Sequence, residues 1–149
     1  MGVPADRGAD MSLLNIFNVS GSAASAQSQR LNVVASNLAN ADTVAGPDGK
    51  AYKARQVTFQ TQLMGAGGNS PTSAGVAVSA ITEDQSVGRR VHDPKHPSAD
   101  ADGYVTYSNV NAVEEMVNMI SASRSYQNNI EVMNTAKSLM LKTLQMGQS

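Results

Sequence analysis

Residues 111–146 read NAVEEMVNMISASRSYQNNIEVMNTAKSLMLKTLQM, a stretch without glycine or proline. Ala112, Met119, Tyr126, Met133 and Met140 recur every seven residues, and Met116, Ile130 and Leu144 support the stripe three or four residues away. Such spacing places them on one face of a helix. Asn111 followed by Glu114 resembles a capping box, with Asn in place of the usual Ser or Thr. At 1.5 Å per residue the helix would run about 54 Å. That is too long to rest along its whole length on a small β-domain, so a partner helix is expected.

The partner is found at the other end of the chain. Within residues 12–41, Phe17, Ala24, Leu31 and Leu38 repeat at the same interval, and Leu13 and Val34 extend the stripe at coiled-coil spacing. Gly21 to Ala26 are all small residues, which weakens this helix alone and lets another helix approach closely. Between the two helices the composition changes. Eight of the 12 glycines and four of the five prolines lie between Ala45 and Asn109. Val57, Phe59, Thr61 and Leu63 alternate as a strand does, Gly75 to Thr82 suggests another strand, and Gly103 to Tyr107 a third. The stretch Gly65–Ser73 reads as a loop and as the most mobile part of the chain.

The fold class expected is therefore α+β: long N- and C-terminal helices pairing as an antiparallel coiled coil, with a small central β-rich domain. Its parts are a flexible extension at 1–10, an N-terminal helix at 11–44, a β-rich insertion at 45–109 and a C-terminal helix at 110–149.

Composition narrows the function. The 149 residues carry 11 basic and 12 acidic side chains, for a formal net charge of −1, unlike the basic balance of a dedicated nucleic-acid binder. Charged residues are 15% of the chain against about 25% in ordinary soluble domains. Asn, Gln, Ser and Thr replace them, giving a surface able to hydrogen-bond to neighbours without burying ions. Five of the eight methionines fall in the last helix, where they read as core packing or as an adaptable seam meeting several neighbours. Cysteine is absent, which excludes disulfides and thiol chemistry. No apolar run approaches the ~20 residues of a membrane span. The opening MGVPADRGAD lacks the basic start and apolar stretch of a secretory signal, so a role outside the cytoplasm would require a route that uses no cleaved signal.

Catalytic constellations are weak. His92, Asp93 and His96 offer two imidazoles and a carboxylate, but Pro94 and Pro97 break any regular ligand spacing. Asp100 and Asp102 before Gly103 start like a calcium loop, yet Asn109 stands where a bidentate Glu is required, and an Asp-Gly turn accounts for them better. Glu114 and Glu115 point about 100° apart on a helix. No phosphate-cradling loop, nucleophile elbow or HExxH motif occurs, so no enzyme, cofactor, metal, small-molecule substrate or nucleic acid is expected.

The unusual segment is Ala35-Ser-Asn-Leu-Ala-Asn-Ala-Asp-Thr43, dense in amides and hydroxyls where the first helix should stop. Asn37, Asn40, Asp42 and Thr43 are placed to satisfy the orphan groups of the helix end or to start the next turn. Here the sequence resembles the flagellar axial family of rod, hook and filament proteins. The family signature appears as Ser36, Asn37, Leu38, Ala39 and Asn40, then Thr43, with Tyr52 following an insertion that contains Gly46-Pro-Asp-Gly49. That insertion departs from the commonest axial form and is similar to that of proximal-rod members. Leu13 to Phe17, Gln29 to Asn32, Asp102 to Val105, Ser121 to Gln127 and Lys137 to Thr143 agree with it in order, so the resemblance spans about residues 11–148.

The resemblance implies a structural subunit that leaves through the flagellar type III export apparatus and assembles in the periplasm into a tube around a channel. It implies terminal helices that pair within the tube, with other rod proteins, copies of the chain itself and a rod-to-export-gate adaptor as partners. Pairing would engage Phe17, Ala24, Leu31, Val34, Leu38, Met116, Met119, Tyr126, Ile130, Met133, Met140 and Leu144. Two rivals are a soluble helical adaptor or export chaperone, and a small metal enzyme centred on His92, Asp93 and His96.

Overall fold

The computed structural model describes residues 5–64 and 73–147, with side chains from Ser12 and, after the gap, from Ala74. The loop expected at Gly65–Ser73 falls almost wholly outside the described residues. The element order is α1 (Ala5–Ala39), β1 (Arg55–Met64), β2 (Ser73–Glu83), β3 (Arg90–His92), β4 (Tyr104–Thr106) and α2 (Ala112–Met146). The chain is thus α+β, with a helix toward each end and short strands between.

Helix α1 begins at Ala5, inside the segment read as a flexible extension. Ala5, Asp6, Arg7, Ala9 and Asp10 tolerate helix, and only Gly8 opposes it. Helix α2 starts where its cap predicts: the Glu114 N–H donates to Asn111 Oδ1 at 3.2 Å, and the Glu115 N–H to Asn111 O at 3.0 Å.

The strands form two two-stranded sheets, β1 with β2 and β3 with β4. In the second, Arg90, Val91 and His92 lie antiparallel opposite Thr106, Val105 and Tyr104. Strand β3 was not anticipated, because three residues exposed along their whole length carry no alternation to read.

The residues group into two compact units, 1–28 with 59–78 and 123–149, and 29–58 with 79–122. In the first unit Ser20, Ala24, Ala26 and Ala136 are buried. A Cβ placed on Gly21 would meet Met133 Cε at 3.5 Å, so α2 passes beside the small-residue stretch. The neighbouring Ser22 faces a strand: its hydroxyl donates to the Val19 carbonyl at 2.7 Å and accepts the Val76 N–H at 3.0 Å. The small residues admit β2 as well as a helix.

In the second unit Val34, Ala45, Ala54, Val105 and Ala122 are buried together with Asn37 and Ser108. Among the described residues the largest fully buried side chains are Val105 and Asn37, a valine and an amide. Little apolar area is therefore hidden, and hydrogen bonds carry an unusual share of the specificity. The segment after α1 joins the β3–β4 sheet: Val44 pairs with Tyr107, the Ala45 N–H reaches Thr106 O at 2.8 Å, and the Ser108 hydroxyl donates to Ala41 O at 2.7 Å.

One glycine here is sterically required. A Cβ on Gly88 would sit 2.0 Å from the Tyr107 carbonyl oxygen, where the Tyr107 N–H also donates to Arg89 O at 2.7 Å. Gly88→Ala is expected to cost about 1–3 kcal/mol by forcing two backbones apart. A chemical-denaturation midpoint equal to wild type would refute this.

Candidate functional site

The Asn-rich junction is built at the last turn of α1. Asn40 and Thr43 close the helix: Asn40 Nδ2 donates to Ser36 O at 2.9 Å, and Thr43 Oγ1 to Asn40 O at 2.8 Å. Both bonds reinforce carbonyls that also accept a backbone N–H, Ser36 O from Asn40 at 3.1 Å and Asn40 O from Thr43 at 3.3 Å. Asp42 is exposed and forms only a 4.0 Å pair with Arg89, and Ala39 also faces water.

Asn37 does something else. It is 0% exposed and takes four hydrogen bonds. Its Oδ1 accepts the Arg55 N–H at 2.9 Å and the Tyr52 hydroxyl at 2.9 Å. Its Nδ2 donates to Arg55 O at 2.8 Å and to Glu115 Oε2 at 3.1 Å. The side-chain amide thus imitates a neighbouring strand at Arg55 and fills its full donor and acceptor capacity. The Tyr52 proton is committed to Asn37, so in the 3.1 Å contact between Ser36 Oγ and Tyr52 OH the serine donates. The signature residues Ser36, Asn37 and Tyr52 meet in space, although a 15-residue separation divides Asn37 from Tyr52.

A second amide does the same one residue earlier. The Ala54 N–H donates to Asn109 Oδ1 at 2.6 Å, and Asn109 Nδ2 donates to Asp84 O at 2.8 Å and Ser86 O at 3.0 Å. The Asp84 N–H then reaches Ala54 O at 2.8 Å. Consecutive residues at the mouth of β1 are therefore held by two amides, from α1 and from the approach to α2. Sequence reading missed Asn109 and Glu115, since neither sits in an apolar stripe; the only hint was a second Asn two residues before the cap Asn111. Asn109→Ala should lower stability by about 1–2 kcal/mol, because it strands the Ala54 N–H and two carbonyls. Thermal melts of the two proteins, compared with Asn109→Asp, check it.

The helix residues expected at a pairing interface separate into two groups. Leu31, Val34 and Leu38 on α1 turn inward, with Arg30 Nη2 3.4 Å from Asn118 Oδ1. Phe17 is half-buried and Ala24 buried. On α2, Met119, Ile130, Met133 and Met140 are half-buried, and the inward face also holds Glu115, Ala122, Asn129 and Ala136. Met116 and Leu144 are 54% and 59% exposed, and Tyr126 lies at the margin. Within the single chain, small and polar residues occupy most of the inward positions of this row, one residue before Met116, Ile130 and Leu144.

The histidines have structural partners. His92 packs edge-on against Tyr104, with ring centroids 5.0 Å apart, and His96 Nδ1 accepts the Ser98 N–H at 3.0 Å. Among the described residues no group of three metal-ligating side chains converges. Asp100 instead organises a turn through Gly103, whose φ is +83°: its carboxylate accepts the Tyr104 N–H at 2.8 Å and the Asp102 N–H at 3.0 Å, and pairs with Arg90 at 3.0 Å. The Tyr104 N–H in particular holds this carboxyl below its ordinary value, against partial desolvation, with Asp102 and Arg90 assisting. Whatever stability the turn gains is present above the unfolded carboxylate range and lost as pH falls through the lower folded value.

The family description "Flagella basal body rod protein" matches residues 17–47, which include the junction, and "Flagellar basal body rod FlgEFG protein C-terminal" matches 101–146. The flagellar basal-body rod protein FlgC of Yersinia enterocolitica is 59% identical over 138 residues, covering 93% of this chain and 100% of that protein. FlgC of Salmonella typhimurium is 58% identical and that of Escherichia coli O157:H7 56% identical, with the same coverage. The chain belongs to the FlgC family of flagellar basal-body rod proteins. For this FlgC family member the two matched segments contain both amides of the clamp, Asn37 and Asn109.

Proposed function

We infer that this chain is a structural subunit of the flagellar basal-body rod, without catalytic activity, and more specifically of its proximal part. The observation that carries the reading is similarity to FlgC proteins along their entire length. The terminal helices act as the polymerising elements and pair as an antiparallel coiled coil. Supporting this, within the second unit residue numbers rise along α1 as they fall along α2 in the contacts of Arg30 with Asn118 and Asn37 with Glu115.

The same helices keep apolar side chains for neighbours. Val113, Met116, Val117 and Ile120, each more than half exposed, follow the i, i+3, i+4, i+7 pattern of one helix face. In the other unit Leu13, Ile16, Val132 and Leu139 line an open groove of about 470 Å³. No described helix is long and apolar enough to cross a membrane. In this reading such faces receive copies of the chain, other rod proteins and the rod-to-export-gate adaptor, after signal-independent transit through the type III export apparatus to the periplasm. Torque then passes through many shared helix contacts. An adaptor or chaperone role is disfavoured by the family.

The test is fractionation. The chain, tagged at a tolerated position, should copurify with isolated basal bodies; recovery in the soluble fraction alone, in cells that build flagella, would sink the reading.

A further inference from the structure

An open groove of about 660 Å³ lies within the second unit, between residues 49–53 and 83–88. Lys50, Lys53 and Arg55 line it, opposed by one carboxylate, Glu83. Three of the chain's 11 basic residues thus converge in a protein whose net charge is −1. The ion pairs among the described residues, Arg89 with Asp42 and Arg90 with Asp100, do not involve them. Lys53 Nζ donates to the neutral Gln85 amide, and the Arg55 guanidinium stands 6.0 Å over the Tyr52 ring. Among the described residues their charge has no counter-ion in contact.

The backbone of the same wall is also open. Among the described residues, the main-chain groups of Ala51, Tyr52 and Lys53 take no hydrogen-bond partner, whereas Ala54 and Arg55 immediately after them are clamped by the two amides. Unpaired N–H and C=O groups just before the clamped start of a strand offer main-chain bonds to which an extended chain can add. At the rim Val87 is 82% exposed.

We propose that this groove binds an extended acidic peptide segment of a neighbouring protein. Its carboxylates lie against Lys50, Lys53 and Arg55, and its main chain runs along Ala51–Lys53. Glu83 disfavours a continuous phosphate backbone, which carries no gap in its charge, but is compatible with carboxylates on alternate residues.

The test uses the purified full-length chain and a fluorescein-labelled peptide of alternating Glu and Thr, with its Lys–Thr counterpart as control, followed by anisotropy. The acidic peptide should bind at low salt, the basic one should not, and high salt should weaken the complex. Reversing charge with Lys50→Glu and Lys53→Glu should weaken binding about tenfold, two exposed pairs being worth ~1–2 kcal/mol together. Lys50→Gln with Lys53→Gln repeats the measurement if the reversed variant loses its circular-dichroism signal. N-methylation of alternate peptide bonds should weaken binding further.

Equal binding of both peptides, unchanged affinity in folded variants, or displacement by inorganic phosphate as effective as by unlabelled peptide would overturn the proposal. Because the assay needs no assembled flagellum, failure here leaves the rod reading intact, and failure of basal-body copurification leaves the groove intact.

Discussion

Asn37→Ala is expected to lower the stability of the second unit by about 3 kcal/mol and to abolish motility. The change removes four hydrogen bonds at a fully buried position. It leaves the part-buried Arg55 N–H and carbonyl without these partners, and an unsatisfied group of this kind costs up to roughly 1–3 kcal/mol. Domains are typically stable by only about 5–15 kcal/mol, so a loss of this size is a large share of the total. Asn37→Asp provides the sharper comparison. It keeps shape and the acceptor to the Arg55 N–H, but loses both donor bonds and sets a carboxylate beside Glu115. If the clamp acts through its amide, Asp should be at least as damaging as Ala. Wild-type melting of Asn37→Asp would show that Asn37 merely fills space.

The second large effect is on assembly. Met133→Asp should leave a soluble, expressible chain that builds no rod, and Leu38→Asp should do likewise. Met133 meets Gly21 across the helices, where a charge would have no partner and would be desolvated on pairing. Leu38 is half-buried at the last turn of α1, beside the clamp. Swimming in soft agar and electron microscopy of basal bodies read the outcome. Normal flagella from either variant would remove the helix seam from the account.

Periodicity made the two helices legible, and alternation did the same for β1 and β2. Those signals work because burial on one face repeats at the period of the element. What was lost follows from the same physics. Strand β3 is short and exposed, so no face is selected. The inward row of α2 holds Glu115, Ala122, Asn129 and Ala136, residues that hydrophobicity counts pass over. The Ser36–Thr43 segment stood out in the sequence, but a local reading assigns all its polar groups to closing the helix. Asn40 and Thr43 do so. Asn37 instead serves a backbone 18 residues away, and nothing in a local window distinguishes the two uses. Asn109 was invisible for the same reason: its partners Ala54 and Asp84 are 55 and 25 residues distant.

The paired amides at Ala54 and Arg55 also act as a proofreading device. Side chains at the start of β1 are mostly exposed, so apolar burial alone penalises a mis-threaded strand very little. Asn37 checks both the donor and the acceptor on one edge of a single residue, as one base checks another. Shifted by one position, the strand would turn its N–H and C=O toward the opposite edge, and the Asn37 amide would be left without partners. A rod subunit thereby gains a yes-or-no recognition of its own chain, made from polarity instead of bulk.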